Sequence, residues 1–337
     1  GLVRPDGRRL IAFFKALEFT TITKKVGELY GVDPAKVDPD PALAAGPKAQ
    51  VAVPAATVAA GGDGDPSTAA ADPAAPSPQA LAARKAERLR GATVDRSLYQ
   101  CVTTLPALDA FIAGAREAGV VALDTETNSL DAMAADLVGF SLAYAPDKAC
   151  YVPLAHRAGE AGLFDSGLVE GQVPMREALD RLKALAEDPG VLKVGQNLKY
   201  DLLVLSRHGM TIAPYDDTML ISYALDAGRG SNGMDALSER HLGHVPISFD
   251  SVTGTGKNRI TFDRVPLDQA TAYAAEDADV TLRLWQVLKP RLAAEAKTTV
   301  YETLERPLVD VLARMERRGI LIDRQVLSRL SGDFAQV

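Results

Sequence analysis

The segment Val120-Val-Ala-Leu-Asp-Thr-Glu126 ends an apolar run with two carboxylates. In an extended strand alternate side chains share a face, so Asp124 and Glu126 point the same way. Two later segments, Asn197 to Asp201 and Tyr273 to Asp277, each place an aspartate four residues after a polar side chain. At that spacing the two fall on one face of a helix. Three pieces of chain can therefore bring Asp124, Glu126, Asp201, Tyr273 and Asp277 to one point. Four crowded carboxylates repel and take up protons, whereas divalent cations hold them ionised. Four acids and a tyrosine suit a centre that cleaves phosphodiesters with two metal ions. Asp-Thr-Glu alone is more often a solvated strand end; the two later segments reverse that reading.

The elements that must position these residues are legible in the apolar pattern. It predicts strands over 99–103, 120–126, 137–144, 149–152 and 192–195, and helices over 105–117, 175–187, 198–207 and 267–288. Such alternation implies an α/β domain, a mixed sheet flanked by helices. Asp217 reads as the N-cap of a further helix rather than as a ligand. From Tyr301 onward Leu304, Leu308, Val311, Leu312 and Met315 form a helical stripe that stops at Gly319. Glu276 and Asp279 should be solvated on other helix faces, and His241 and His244 should sit at an exposed helix end. Gly254-Thr-Gly-Lys257 is not a phosphate-binding P-loop, because Ser251 and Asn258 stand where that pattern needs Gly and Ser or Thr.

Residues 33–95 are expected to form a disordered linker, rich in Ala, Pro, Gly, Asp and Ser. Nine of the 20 prolines lie between Pro34 and Pro78, which argues against a regular helix there. The chain then divides into 1–32, the linker, a domain over 96–292 and a last segment over 293–337. The first piece has helical periodicity from Leu10 but is too short for a core of its own, so it reads as the tail of something larger.

At 337 residues and 47% hydrophobic content the chain can bury a sizeable core. It has no apolar run of membrane-spanning length and no secretory signal at its start, which predicts a cytoplasmic protein with no membrane partner. Cys101 and Cys150 are far apart and are given packing roles. A net charge of -7 argues against broad adhesion to duplex DNA, so any nucleic acid must be gripped locally.

Over residues 99–288 the chain resembles the 3′-5′ proofreading exonuclease domain of the bacterial DNA polymerase I family, the family A polymerases. The resemblance is carried by Asp124-Thr-Glu-Thr, Gly195-Gln-Asn-Leu-Lys-Tyr-Asp201, Asp217-Thr-Met-Leu, Gly256-Lys-Asn and Tyr273-Ala-Ala-Glu-Asp-Ala-Asp-Val-Thr-Leu282. Residues 1–31 resemble the end of the family's 5′ nuclease domain, and 301–323 the entry to its polymerase domain. The polymerase's catalytic motifs are expected outside these 337 residues. The resemblance implies an RNase H-like fold that hydrolyses the 3′-terminal phosphodiester of single-stranded or frayed DNA ends and releases nucleoside monophosphates. It implies two divalent ions, Mg²⁺ first with Mn²⁺ or Zn²⁺ as alternatives, and a monomer.

Asp124 would bridge both ions, Glu126 and Asp277 would complete the first site and Asp201 would anchor the second. Tyr273 would orient the attacking water. Leu130 and Phe249 match apolar positions that wedge against or stack on the terminal bases, and Asn197 would contact DNA or support the second site. Lys257 and Arg259 are candidate phosphate contacts, as are Lys193, Lys199 and Arg207. Two competing readings are an RNase D-like RNA exonuclease, against which the polymerase-like segment 301–323 argues, and a scaffold that positions DNA without cleaving it.

Overall fold

The computed structural model describes residues 6–16, 19–40, 77–158 and 166–336. It divides into two units, Gly1–Ala70 and Ala71–Val337. In the first, helices α1 (Gly7–Ala16) and α2 (Thr20–Tyr30) are followed by a chain that stays on them as far as Asp40. The Lys15 ammonium donates to the carbonyls of Pro34 and Val37, at 3.0 and 2.7 Å, and the Asp40 amide to that of Ala12. Residues 33–40 therefore belong to this unit and not to a linker.

The second unit opens with α3 (Pro78–Leu89), inside the stretch expected to be disordered. Pro78 is the last of the proline run and occupies the first helical turn, where no amide donor is needed. Ser77 caps the Ala80 amide, and Leu89 is buried with Ile221, Leu284 and Leu288. The linker expectation is thus wrong for 77–95, and its remainder, 41–76, lies outside the described residues.

Chain order continues as β1 (Gln100–Cys101), α4 (Leu105–Ala118), β2 (Val120–Thr127), β3 (Leu137–Ala145), β4 (Lys148–Pro153), β5 (Arg157–Ala158), β6 (Ser166–Leu168), α5 (Met175–Ala186) and β7 (Leu192–Gly195). Then come α6 (Lys199–Ser206), β8 (Tyr215–Asp217), α7 (Thr218–Asp226), α8 (Met234–Leu242), α9 (Phe249–Thr253) and α10 (Leu267–Ala294). A π-helical turn, Tyr301–Glu305, leads into α11 (Arg306–Arg318), and α12 (Arg324–Phe334) follows. The main sheet is mixed, in the order β1-β4-β3-β2-β7-β8, with β2 antiparallel to β3 and parallel to β7. Strands β5 and β6 pair separately. Cys150 is buried in the core, but Cys101 is exposed, so the packing role holds for one of the two.

Strand β2 sorts its side chains by parity. Val121 and Leu123 enter the core with Leu108, Ile112 and Leu182, on the side of α4 and α5. Ala122 faces the other way, onto Ala275 and Ala278 of α10, with Ala143 and Ala149 beside it. Asp124 and Glu126 continue the row of Ala122. Small side chains on both partners let α10 lie close against the sheet.

Helix α10 is covered on its other sides by α3, α7 and α8. This overturns the expectation that Glu276 and Asp279 are solvated: both are fully buried. Asp279 accepts from Tyr99 Oη at 2.9 Å and from Arg283 at 3.1 Å, and Arg283 also pairs with Asp147 at 2.7 Å. In α11 the buried residues are Val309 and Ala313, while Leu304, Leu308, Val311, Leu312 and Met315 are exposed, because a narrower row meets α6. Among the described residues no helix is long and apolar enough to cross a membrane.

After β4, His156 is buried, with Nε2 2.7 Å from the Tyr151 hydroxyl and Nδ1 3.1 Å from the Val265 carbonyl. A neutral ring satisfies both, donating from Nδ1 and accepting at Nε2, and burial pushes its pKa down to about 4. An unfolded histidine titrates near ~6.5, so this stabilisation is complete above that pH and is lost as pH falls toward 4. His156→Gln should therefore remove up to about 3 kcal/mol of acid sensitivity over that window, read as a flatter stability-versus-pH curve in urea unfolding. Leu89→Ala should cost about 2–4 kcal/mol in the same measurement; a loss below ~0.5 kcal/mol would show that α3 is not packed as described.

Candidate metal and nucleic-acid site

The C-terminal end of β2, the start of α6 and the second and third turns of α10 surround one cavity of about 780 Å³. Asp124, Glu126, Asp201, Tyr273 and Asp277 all line it. Carboxylate oxygens of Asp124, Glu126 and Asp277 lie within 4.8 Å of one another. Asp201 stands apart from this trio. Its Oδ1 accepts from the Thr125 amide at 2.9 Å and the Thr125 hydroxyl at 2.5 Å, which fixes α6 to the strand end.

Burial raises every one of these acids. Asp124 is pushed up to about 7, and Glu126 well above the carboxylate range, by burial first and then by Asp124, Asp277 and Asp201. Asp201 and Asp277 rise for the same two reasons, burial and the charge of Asp124. Among the described residues Glu126 Oε1 and Asp277 Oδ1 are buried with no hydrogen-bond partner. Unpartnered buried carboxylate oxygens are costly unless something else coordinates them. An all-oxygen donor set of this kind fits hard divalent cations such as Mg²⁺ or Mn²⁺. Tyr273, one turn before Asp277, interacts with that carboxylate, and burial together with Asp277 raises its pKa, so its hydroxyl stays protonated.

Asn197 lines the cavity but does not share a helix face with Asp201 as the spacing suggested. It precedes the helix in the left-handed region, φ 60°, which asparagine tolerates better than most residues. Asp217 holds it there: its carboxylate accepts from the amides of Asn197 and Leu198, at 3.3 and 2.8 Å, while capping Met219 and Leu220. The N-cap expectation for Asp217 is met, and the same side chain ties α6 to α7.

Leu130 and Phe249 sit on the cavity rim, 96% and 36% exposed. The Leu130 loop is anchored by Tyr200, whose hydroxyl donates to the Ser129 carbonyl at 2.5 Å. Phe249 stacks on Phe262, centroids 6.1 Å apart and planes 12° apart, and meets Tyr273 edge-on at 5.8 Å. Arg259 lines the cavity, lies 5.3 Å over the Phe249 ring and pairs with Asp250 at 3.0 Å. Lys257, on the turn Gly256–Asn258, does not line the cavity.

Three cations expected as phosphate contacts are engaged elsewhere. Lys193 is buried, its ammonium donating to the carbonyls of Asp188, Val191 and Ala213 at 2.6–2.8 Å. Lys199 pairs with Glu316, and Arg207 donates to the Ala135 carbonyl. No histidine lines the cavity. His241 and His244 are partly buried rather than at an exposed end, and His244 Nε2 lies 2.8 Å from Glu276 Oε1. Sequence reasoning missed Thr125, Tyr200 and Phe262 as parts of the site. Thr125 and Tyr200 lie inside the acidic motifs, where their polar groups were a usable signal; Phe262 is brought in by tertiary packing alone.

Residues 99–293 match a family described as 3′-5′ exonuclease. The chain is 52% identical to DNA polymerase I of Rhizobium leguminosarum, over 98% of this chain and 35% of that protein. It is 43% identical to DNA polymerase I of Pseudomonas aeruginosa, over 71% of this chain and 26% of the relative. The chain thus spans about a third or less of the length of these relatives. Among solved structures, the POL domain of Pol1 from M. smegmatis in complex with DNA primer-template and dNTP shares the fold, with TM-score 0.50 and 22% identity over 67% of this chain and 34% of that one. A family match across most of the second unit and this identity to full-length relatives mean that the chain belongs to the DNA polymerase I family and carries its 3′-5′ exonuclease domain, of RNase H-like fold.

Proposed function

We propose that the chain is a metal-dependent exonuclease that removes mismatched 3′-terminal nucleotides from DNA as nucleoside monophosphates, the proofreading part of a DNA polymerase. The observation that carries this is the convergence of three carboxylates, two with unpartnered buried oxygens, in a cavity rimmed by the exposed apolar side chains Leu130 and Phe249.

Asp124, Glu126 and Asp277 would hold one divalent ion, and Asp201 would contribute to a second that shares Asp124. Bound there, such ions supply Lewis-acid stabilisation of the phosphoryl oxygens and lower the pKa of the attacking water. Tyr273 contributes a neutral hydroxyl beside Asp277, able to orient that water by hydrogen bonding but not to act as a base. Phe249, backed by Phe262, offers a ring face on which any terminal base can stack, which a sequence-indifferent proofreader needs. Leu130 would supply a second apolar edge, and Asn197 and Arg259, which also line the cavity, would meet the sugar-phosphate backbone. Lys257 remains a phosphate contact only for DNA that extends past the cavity.

A 5′-labelled primer-template with a 3′ mismatch, incubated with the chain and Mg²⁺, should give a ladder shortening from the 3′ end that EDTA abolishes. An intact primer that still binds would favour a positioning scaffold, and faster loss of a matched RNA strand would favour an RNA exonuclease. Asp124→Ala should lower kcat by about a thousandfold or more; full activity in that variant would overturn the site. Tyr273→Phe should lower kcat about ten- to a hundredfold with KM and metal affinity little changed, checked by single-turnover kinetics across Mg²⁺ concentrations.

A further inference from the structure

Glu276 immediately precedes Asp277, is 0% exposed and does not line the cavity. Its carboxylate gathers donors from two directions. Oε1 accepts from Arg96 Nε and lies 2.8 Å from His244 Nε2, and Oε2 accepts from the Ile247 amide at 2.7 Å. His244 and Ile247 belong to the short connection between α8 and α9. That connection starts at Gly243 in the left-handed region, φ 69°; its Val245 is exposed, Pro246 is buried and Ile247 half-buried.

Beyond this connection lie Phe249, Arg259, Ile260 and Phe262, one wall of the cavity. At its far end the wall is fixed by Phe262, packed on Tyr273, and by the contact between His156 and the Val265 carbonyl. At its near end Ser238 Oγ donates to the His244 carbonyl at 2.8 Å, and the tether to α10 is Glu276, on the same helical turn as the metal-site residue Asp277.

We propose that Glu276 is a positioning residue that fixes the wall over 244–262, and with it Phe249, relative to Asp277, and so governs capture of the 3′-terminal nucleotide rather than bond cleavage. The inference rests on the exonuclease reading of the site. The tether is sensitive to chemistry as well as shape. A glutamine keeps the size of the side chain, but its amide group would have to point at Arg96 and His244 or at the Ile247 amide, donor against donor.

The test combines hydrogen exchange with hydrolysis of single-stranded DNA in Mg²⁺, both on the full chain at one pH. In Glu276→Gln, amides of 244–262 should exchange about tenfold faster or more, while β2 and β3 keep their protection. KM for the DNA should rise about tenfold with kcat within about twofold. His244→Ala, which touches the tether from the loop side, should shift both readouts the same way by less, and it decides the matter if Glu276→Gln does not fold. His244→Gln, which restores a donor, should recover most of the loss. Unchanged exchange over 244–262 in a folded variant, faster exchange spread through the sheet, or a fall in kcat at constant KM would each overturn the proposal. If the unsubstituted chain hydrolyses no DNA, the exonuclease reading fails, while the exchange comparison still judges the tether.

Discussion

Holding three carboxylates within 4.8 Å of one another inside a fold is the constraint to which the rest of this structure answers. Charges taken out of water and set beside like charges oppose folding twice, through lost hydration and through repulsion. The protein meets this with rigid backbone. Asp124 and Glu126 are fixed by the interior strand of a six-stranded sheet, and Asp277 by a 28-residue helix whose middle, from Ala274 to Leu284, is buried throughout. Asp201 arrives on a shorter helix whose start is pinned by Asp217 and whose carboxylate is pinned by Thr125.

Two other buried acids, Asp279 and Asp216, supply a contrast with the site. Asp279 is answered by Arg283, Tyr99 and the Asp147 amide, and Asp216 by Trp285, Lys289, Tyr301 and Arg306. Each is a closed polar network of the kind that a folded interior tolerates. Glu126 and Asp277 keep unanswered oxygens although donors abound a turn away. The difference lies in partnership, not in burial, and it marks where an outside ligand belongs.

Much of this was legible in the sequence. Period-two patterning located β2 and the shared face of Asp124 and Glu126, and four-residue spacing paired Tyr273 with Asp277 correctly. The same spacing misled for Asn197, because it lies in the bend between β7 and α6, before the helix begins, and periodicity does not register a single left-handed residue. Composition misled over 77–95: a proline-rich run looks uniform, yet its final proline starts a helix. Glu276, Asp279 and Lys193 were misjudged for one reason. Charge predicts exposure on average, and only the tertiary arrangement shows which charged groups have been given partners. Phe262 had no local signature at all, since its role comes from stacking with a residue thirteen positions away.

The alanine seam between α10 and the sheet has a consequence for how such a sequence can drift. Ala122, Ala143 and Ala149 share one buried cluster with Ala275, Ala278 and Leu282. A valine on either side would overpack the contact and press the helix, and Asp277 with it, away from the sheet. The one smaller residue, glycine, would loosen the helix by about 1 kcal/mol at Ala275 or Ala278. On the helix side alanine is both slight enough for the contact and stiff enough for the helix, so Ala275 and Ala278 are closed to change from above and from below. Variation that reshapes the rim leaves the seam untouched, which separates a part of the molecule free to adapt to its substrate from a part that must be inherited whole.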